Sequence, residues 1–457
     1  MKVQSCYSLK YGVVQPGALV EWGIDAGHKF LLLADINSTG AVLSFVRSAQ
    51  ERGLKPIVGV ELRNEMKVKA TVIARNNRGF HELNVLLSKH LQGKIDFPDQ
   101  IPHLSNCYIS YPFPGPITTL KENEYIDIQH FNLINLNKNF NILNVKKLIV
   151  LPVMVFRNQR DYNTHRLLRA IHYNTLLSKL KPSQCAKLDF LMDLKKIAVT
   201  FKSYDVALKR TFSLLEGCGI SFDFSEAALP QNPFTFTGSE AEDETLLRNL
   251  CLEGLPERYE VLTDEIVERI EKEIDIITKK KYLSYFLMTW DFTSYARARN
   301  YFYVGRGSGA NSIVAYLLKI TNVDPLDLDL YFERFINLER KSPPDFDIDF
   351  SWRDRDDVIR YIFDKYPTAA LLCTYNTFQY RATIRELGKV FGLPNSEIEQ
   401  LAKNTSKTND SLTALVLKYS SYIQGLPSYL SVHSGGIVIS EKPMTWFSAT
   451  FSPPKGF

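Results

Sequence analysis

Between Lys29 and Glu61 the sequence spells out one supersecondary unit, and that unit restricts the fold more than any other stretch. Lys29-Phe30-Leu31-Leu32-Leu33-Ala34-Asp35 is a continuous apolar run ending in an acid, the pattern of a strand buried on both faces. Ala41 to Gly53 reads as a helix, with Leu43, Val46 and Ala49 spaced for one face. Lys55-Pro56-Ile57-Val58-Gly59-Val60-Glu61 reads as the next strand and again delivers an acid. Strand, helix and strand in about 30 residues make a βαβ unit. Sheets and barrels built this way gather functional groups at the carboxyl ends of their strands. Val68 to Ala74 reads as a further strand and Asn77 to Leu91 as a helix, followed over 93–150 by strands and loops of the same domain. Arg160 to Leu180 and Asp205 to Cys218 read as helical.

A chain of 457 residues is too long for one ordinary core, so two to four domains are expected. An aromatic content of 12% argues against disorder. No run of about 18 apolar residues exists, so no membrane span is expected, and the first residues lack the apolar core of a signal peptide. The six cysteines are scattered without a C-x-x-C pair, which reads as reduced, cytosolic thiols in a cytoplasmic protein. A net charge of +5 permits a nucleic-acid partner without demanding one.

The best linker candidate runs from Leu229-Pro230-Gln231-Asn232-Pro233 to Gly238-Ser239. Beyond it Thr263-Asp264-Glu265 opens a capped helix. Ile266, Ile270 and Ile274 fall on one face and Glu268, Glu271, Lys272 and Glu273 on others. That helix ends at Lys279-Lys280-Lys281, most simply a solvated terminus.

The densest acidic feature is Ser342-Pro343-Pro344-Asp345-Phe346-Asp347-Ile348-Asp349-Phe350. In a strand, alternate side chains share a face. Asp345, Asp347 and Asp349 therefore line one side, and Phe346, Ile348 and Phe350 the other. Same-face neighbours lie roughly 6.5–7 Å apart at their Cα atoms, so the carboxylates repel and need counter-charge. Carboxylate oxygens suit Mg²⁺, which accepts one or two of them plus substrate phosphates. Two such ions about 3.5–4 Å apart serve phosphoryl transfer. The other reading is an edge strand with one acidic face, which the poor strand preference of aspartate disfavours.

Upstream lies Val304-Gly305-Arg306-Gly307-Ser308-Gly309-Ala310-Asn311-Ser312, then the apolar Ile313 to Leu318. Small residues let backbone N–H groups approach a phosphate, and the helix that follows is expected to present its positive N-terminus. Alone, such a segment is most simply a tight turn. Paired with an aspartate strand, it has the arrangement of a nucleotidyltransferase palm. Further on, Ala382 to Phe391 reads as helical, and Arg381, Arg385 and Lys389 recur every four residues at and within it. They form one basic stripe that suits a nucleic-acid backbone or, equally, a solvated face.

From about Leu246 to Arg385 the chain resembles the bacterial C-family DNA polymerases, the DNA polymerase III alpha subunits. The resemblance is carried in order by Tyr285-Phe286-Leu287-Met288-Thr289-Trp290-Asp291-Phe292, Gly305-Arg306-Gly307-Ser308 and Ile320-Thr321-Asn322-Val323-Asp324-Pro325-Leu326. It continues through Phe332-Glu333-Arg334-Phe335-Ile336-Asn337, Glu339-Arg340, the aspartate strand and Arg355. It implies template-directed DNA synthesis from dNTPs on primer–template DNA, on a polymerase-beta-like palm. Asp347 and Asp349 match the catalytic, metal-binding pair, which would hold two Mg²⁺ ions. Asp345 is the preceding acid and a further candidate ligand. Gly305, Arg306, Gly307 and Ser308 match the nucleotide-binding loop, and Arg381, Arg385 and Lys389 are the candidate DNA contacts. Tyr303-Val304 stands where the usual pattern has Gly-Pro, and that departure, together with Gly309-Ala310-Asn311-Ser312 and Ser351-Trp352, resembles the shorter, error-prone or damage-induced branch.

The N-terminal part resembles the PHP domain that opens these polymerases. Asp35 and Glu61 occupy ligand positions. However, Lys2 and Gln4 replace the opening histidine pair, Tyr11 replaces an acid, and Ile36 replaces a histidine. Lysine and isoleucine cannot stand in for imidazole ligands, so no metal is expected in this domain. The expected architecture is multidomain α/β and α+β. A PHP-type β/α barrel spans 1–228, a palm 229–378 and a helical thumb 379–457. His433-Ser434-Gly435-Gly436-Ile437-Val438-Ile439-Ser440 resembles the thumb segment that precedes the family's third catalytic aspartate. That aspartate does not occur before Phe457, so the reading is an N-terminal fragment, inactive alone. A sliding clamp would be met by a further C-terminal part. The competing readings are a PHP-type phosphoesterase and a non-catalytic DNA-binding scaffold.

Overall fold

A computed structural model describes residues 1–115, 119–133, 146–186, 192–225, 234–334, 337, 345–403 and 411–452. The linker residues 229–233, the motif positions Phe335, Ile336, Glu339 and Arg340, residues 342–344 before the aspartate strand and the terminal 453–457 lie outside the described residues. The chain divides into two compact units. One comprises Met1–Phe222, Leu371–Gly436 and Met444–Phe457, the other Asp223–Ala370 and Ile437–Pro443.

The first unit is built on the βαβ pattern. Its elements are β1 (Lys2–Val3), α1 (Pro16–Asp25), β2 (Phe30–Ile36), α2 (Val42–Glu51), β3 (Lys55–Asn64), β4 (Lys67–Ala74), α3 (Asn77–Gly93), β5 (Cys107–Pro112), β6 (Glu124–Ile128), β7 (Leu148–Val150) and β8 (Val153–Met154). They form one eight-stranded sheet in the order β7-β6-β5-β4-β3-β2-β1-β8. Its strands are parallel except where β4 runs antiparallel to both neighbours. The β2–β3 register pairs Ile36 with Glu61, which brings the acids of both strands to one end of the sheet. The buried face of α2 is Val42, Phe45, Val46 and Ala49. Leu43, expected on that face, is 40% exposed, because the covered side is set by what the sheet presents beneath it.

The helix expected over Arg160 to Leu180 is α4 (Gln159–His172), followed by short 3-10 turns. After α5 (Leu194–Thr200) and α6 (Asp205–Glu216), this unit resumes with α12 (Tyr380–Phe391), α13 (Asn395–Ala402) and α14 (Ser411–Ile423). Ile384, Leu387, Val390, Val416 and Ile423 share a core with Leu167, Leu168 and Ile171 of α4. Residues 444–452 dock on α3: Trp446 stacks on His81 at 4.7 Å, and the Thr450 amide donates to Ser88 Oγ at 2.9 Å.

The second unit contains α7 (Glu240–Arg258), α8 (Asp264–Lys279), α9 (Leu283–Ala298), β9 (Tyr303–Arg306), α10 (Ile313–Leu317), β10 (Asp347–Phe350) and α11 (Arg355–Lys365). Thr263 caps α8, and Ile266, Ile270 and Ile274 enter its core as their spacing predicts. Glu273 does not lie on a solvent face as its position suggested. It is fully buried, salt-bridged to Arg269 at 2.7 Å and bonded by the Ser312 hydroxyl at 2.6 Å. All six cysteines are free thiols. Among the described residues no helix is long and apolar enough to cross a membrane.

Candidate active site

Strand β10 pairs antiparallel with β9, setting Asp347 opposite Arg306 and Asp349 opposite Val304. Asp347 and Asp349 are exposed while Ile348 and Phe350 are half-buried, the alternation read from the sequence. Phe346 and Ile348 rest against the main core of the unit, and Phe350 against a second cluster around Val358, Ile362 and Tyr366. The Phe346 amide donates to Tyr285 Oη at 3.3 Å, which gives the conspicuous tyrosine of α9 a role at the entry of the strand. The acidic face is therefore held out by an apolar underside.

Glycines at 305 and 307 allow two close backbone approaches, one to Ile320 and one to Asp345. A Cβ on Gly305 would lie 2.2 Å from the Ile320 carbonyl oxygen. Gly307 has φ +90°, and a Cβ there would lie 2.4 Å from the Asp345 carbonyl oxygen. Only glycine adopts that backbone without strain.

The cross-strand face carries its own charge pairing. Arg306 lies opposite Asp347 but binds Asp349 diagonally, Nε to Oδ2 at 2.5 Å and Nη2 to Oδ1 at 3.1 Å. The guanidinium holds the Asp349 carboxyl below the ordinary carboxylate range. Asp345 is tied to the loop: Ser308 donates through its hydroxyl and, at 3.3 Å, through its amide to Asp345 Oδ1.

The expected phosphate site at a helix N-terminus is not formed. Helix α10 has five residues, and its first turn is already satisfied. Ser312 Oγ accepts from the Ala315 amide at 3.2 Å and Glu273 Oε2 from the Val314 amide at 3.4 Å. A buried carboxylate occupies the place an anion would take. Sequence reading missed Glu273, although its spacing of four from Arg269 on α8 was the available signal. It also gave no role to Asp291, which receives the Lys365 ammonium at 2.5 Å and the Tyr361 and Tyr366 hydroxyls at 3.1 and 3.2 Å. These bonds fasten α9 to α11.

Arg381, Arg385 and Lys389 do form an exposed stripe on α12, in the first unit. Arg385 binds Glu399 through two bonds at 2.9 and 3.1 Å, and Lys389 binds Glu386 at 2.9 Å. The stripe is thus partly neutralised by its neighbours.

At the carboxyl end of β2 and β3, ion pairs fill the space among the acids. Lys2 Nζ, 2% exposed, donates to Glu61 at 2.6 Å and to Thr71 at 3.0 Å and lies 4.0 Å from Asp127. Gln4 Nε2 and Arg63 Nε both donate to Glu61 Oε1, at 3.0 and 2.6 Å. Burial alone would raise the Glu61 carboxyl, but Arg63 and Lys2 outweigh it and hold it below the ordinary range. Asp35 accepts from the Ser5 amide and hydroxyl, each at 2.6 Å, and from Ser8 Oγ at 2.7 Å. Burial nevertheless pushes its carboxyl up to about 6, as it does that of Asp127.

For a divalent ion, Asp347 and Asp349 offer hard oxygen donors on one exposed face, the donor chemistry Mg²⁺ prefers. Among the described residues no group of three or more His, Cys, Asp or Glu side chains is placed to hold a metal. The site presents a carboxylate pair that substrate phosphates would have to complete.

Residues 245–455 match the family described as the bacterial DNA polymerase III alpha NTPase domain, and residues 1–142 match the PHP domain. The chain is 30% identical over 504 residues to the DNA polymerase III subunit alpha of Halalkalibacterium halodurans, covering 97% of this chain and 44% of that protein. It is 29% identical to the Bacillus subtilis subunit of the same name, covering 97% and 45%. An error-prone DNA polymerase of Symbiobacterium thermophilum is 27% identical, covering 97% and 47%. The chain thus spans a little under half the length of these relatives. An amidohydrolase structure from Chromobacterium violaceum overlaps 43% of the chain and 88% of its own at 11% identity and a TM-score of 0.19, too low to add to the fold assignment.

Proposed function

Because the chain belongs to the bacterial DNA polymerase III alpha family, we propose that in the full-length protein of that family its residues serve template-directed DNA synthesis, transferring a nucleotidyl group from a dNTP to a primer 3′-hydroxyl. The observation that carries this reading is the β9–β10 pair. It sets Asp347, Asp349 and Arg306 on one exposed face above an apolar support. Asp347 and Asp349 would hold two Mg²⁺ ions. Bound there, the ions supply Lewis acidity at the reacting hydroxyl and charge neutralisation along the triphosphate. Arg306 is a planar fork suited to phosphate oxygens, and leaving Asp349 for the triphosphate would open that carboxylate to metal. Gly305, Gly307 and Ser308 shape the loop beside the nucleotide. Arg381, Arg385 and Lys389 are proposed to contact the DNA backbone.

The PHP-like region is proposed to be metal-free and structural. Lys2 and Arg63 already supply two positive charges among its buried acids, which favours this reading over a phosphoesterase. Tyr303-Val304 on β9 supports an error-prone role, and one relative carries that name.

Titration of the purified chain with Mn²⁺, followed by electron paramagnetic resonance, tests the palm site. Wild-type protein should bind Mn²⁺, more tightly with dATP present, and Asp347→Asn and Asp349→Asn should each lose that binding. Undiminished binding by the doubly substituted protein would refute the assignment.

A further inference from the structure

The β9–β10 register, continued by one same-face step, brings Asp345 opposite Ser308. The two residues are joined there by a reciprocal set of bonds. Ser308 donates its hydroxyl and its amide to Asp345 Oδ1, the Asp345 amide donates back to Ser308 Oγ at 3.2 Å, and the Gly309 amide donates to the Asp345 carbonyl at 3.0 Å. Gly307, just before, has the left-handed φ of +90° that bends the loop toward Asp345. Asp347 and Asp349 lie on the same acidic face. Asp349 turns to Arg306.

From this geometry we propose that Asp345 is a positioning residue for the nucleotide loop and not a metal ligand. Its carboxylate fixes the rotamer of Ser308 and the path of Gly307–Gly309. The loop therefore stands preformed beside the triphosphate before nucleotide arrives. The role needs a hydrogen-bond acceptor at Oδ1 and does not need a negative charge, whereas a Mg²⁺ or Mn²⁺ ligand at this position would draw much of its affinity from the carboxylate charge. Asparagine keeps the acceptor and loses the charge, so it separates the two roles. The proposal rests on the palm reading given above.

The test compares Asp345→Asn, Asp345→Ala, Ser308→Ala and the Asp345→Ala/Ser308→Ala double variant with wild type and with Asp347→Asn. Three quantities are read on the intact chain: Mn²⁺ affinity, dATP affinity in Mg²⁺, and hydrogen exchange at the Ser308 amide. Asp345→Ala and Ser308→Ala should each weaken dATP binding by about 10-fold, with the double variant no worse than Asp345→Ala, because the bond from the Ser308 hydroxyl to Asp345 is lost in all three. Asp345→Asn should stay near wild type for dATP, and all four should keep wild-type Mn²⁺ affinity, unlike Asp347→Asn. Loss of Mn²⁺ binding in Asp345→Asn would make Asp345 a ligand and overturn the proposal. Unchanged or tighter dATP binding in Asp345→Ala would overturn it too. Failure of the palm reading has a different signature, in which wild type binds neither Mn²⁺ nor dATP. The Ser308 amide needs no ligand and still reports the clamp: exchange should quicken in Asp345→Ala and not in Asp345→Asn, and equal rates in both would refute the clamp itself.

Discussion

Replacing Lys2 with methionine probes whether buried cations hold the sheet end together. Methionine keeps most of the apolar stem and removes the ammonium, with its bonds to Glu61 at 2.6 Å and Thr71 at 3.0 Å and its 4.0 Å approach to Asp127. Two buried carboxylates are then left with Arg63 as their only remaining cation among those described above. Removing one partner of a buried pair typically costs about 3–5 kcal/mol. Here the cost is limited, because Asp127 already titrates at about 6. It can take up a proton at neutral pH for about 1.4 kcal/mol per pH unit. The expectation is therefore near the lower end, about 3 kcal/mol, or roughly 6 °C in melting temperature for a large unit. Adding Asp127→Asn removes the surplus negative charge and should recover about 1–2 kcal/mol of that loss. Melting followed by circular dichroism and by tyrosine fluorescence would measure both. A shift under about 2 °C for Lys2→Met, or a double variant less stable than Lys2→Met alone, would refute the reasoning.

The raised carboxyls set a pH dependence. Asp127 has a folded-state value of about 6 against an ordinary 3.8, so its contribution is complete below about 4 and is lost as pH rises through 6. Asp127→Asn does not titrate there and should gain on wild type by roughly 2–3 kcal/mol between pH 4 and pH 7, measured by urea unfolding at both values. Glu273→Ala should cost about 3 kcal/mol by taking away the carboxylate partner of Arg269 and releasing the first turn of α10, and Glu273→Gln should cost less because it keeps an acceptor for Ser312. Calorimetry that finds the two variants equal would contradict that account. Arg306 and Asp349 are 60% and 56% exposed, so Arg306→Gln should leave the melting temperature unchanged. The same variant should tighten Mn²⁺ binding in the absence of nucleotide, since the ion no longer competes with a guanidinium. Weaker binding would show Arg306 to be an organiser of the site instead.

Much of this was legible locally. Buried parallel strands announce themselves as apolar runs, and the acid at the end of each run lands at the carboxyl end of the sheet because the parallel β2–β3 register aligns them. The alternation from Asp345 to Phe350 determined which side chains face out, since a strand has a period of two. The capped helix from Thr263 followed for the same reason: caps and turns involve residues a few positions apart.

What only the tertiary structure decided is which groups answer each charge. Asp349 meets a guanidinium from 43 positions away, Asp345 a serine from 37, Glu61 an ammonium from 59, and Ser312 a carboxylate from 39. The three aspartates look equivalent in the sequence, yet Asp345 is held by Ser308 and Asp349 by Arg306, which reaches it diagonally from opposite Asp347. Glu273 reads as a surface residue by its helical spacing, yet it closes the N-terminus where a phosphate was expected. Backbone periodicity is a short-range property that the order of residues reveals. Charge compensation is a property of packing, because a buried or face-sharing carboxylate must find its counter-charge in space, at whatever sequence distance the fold supplies it.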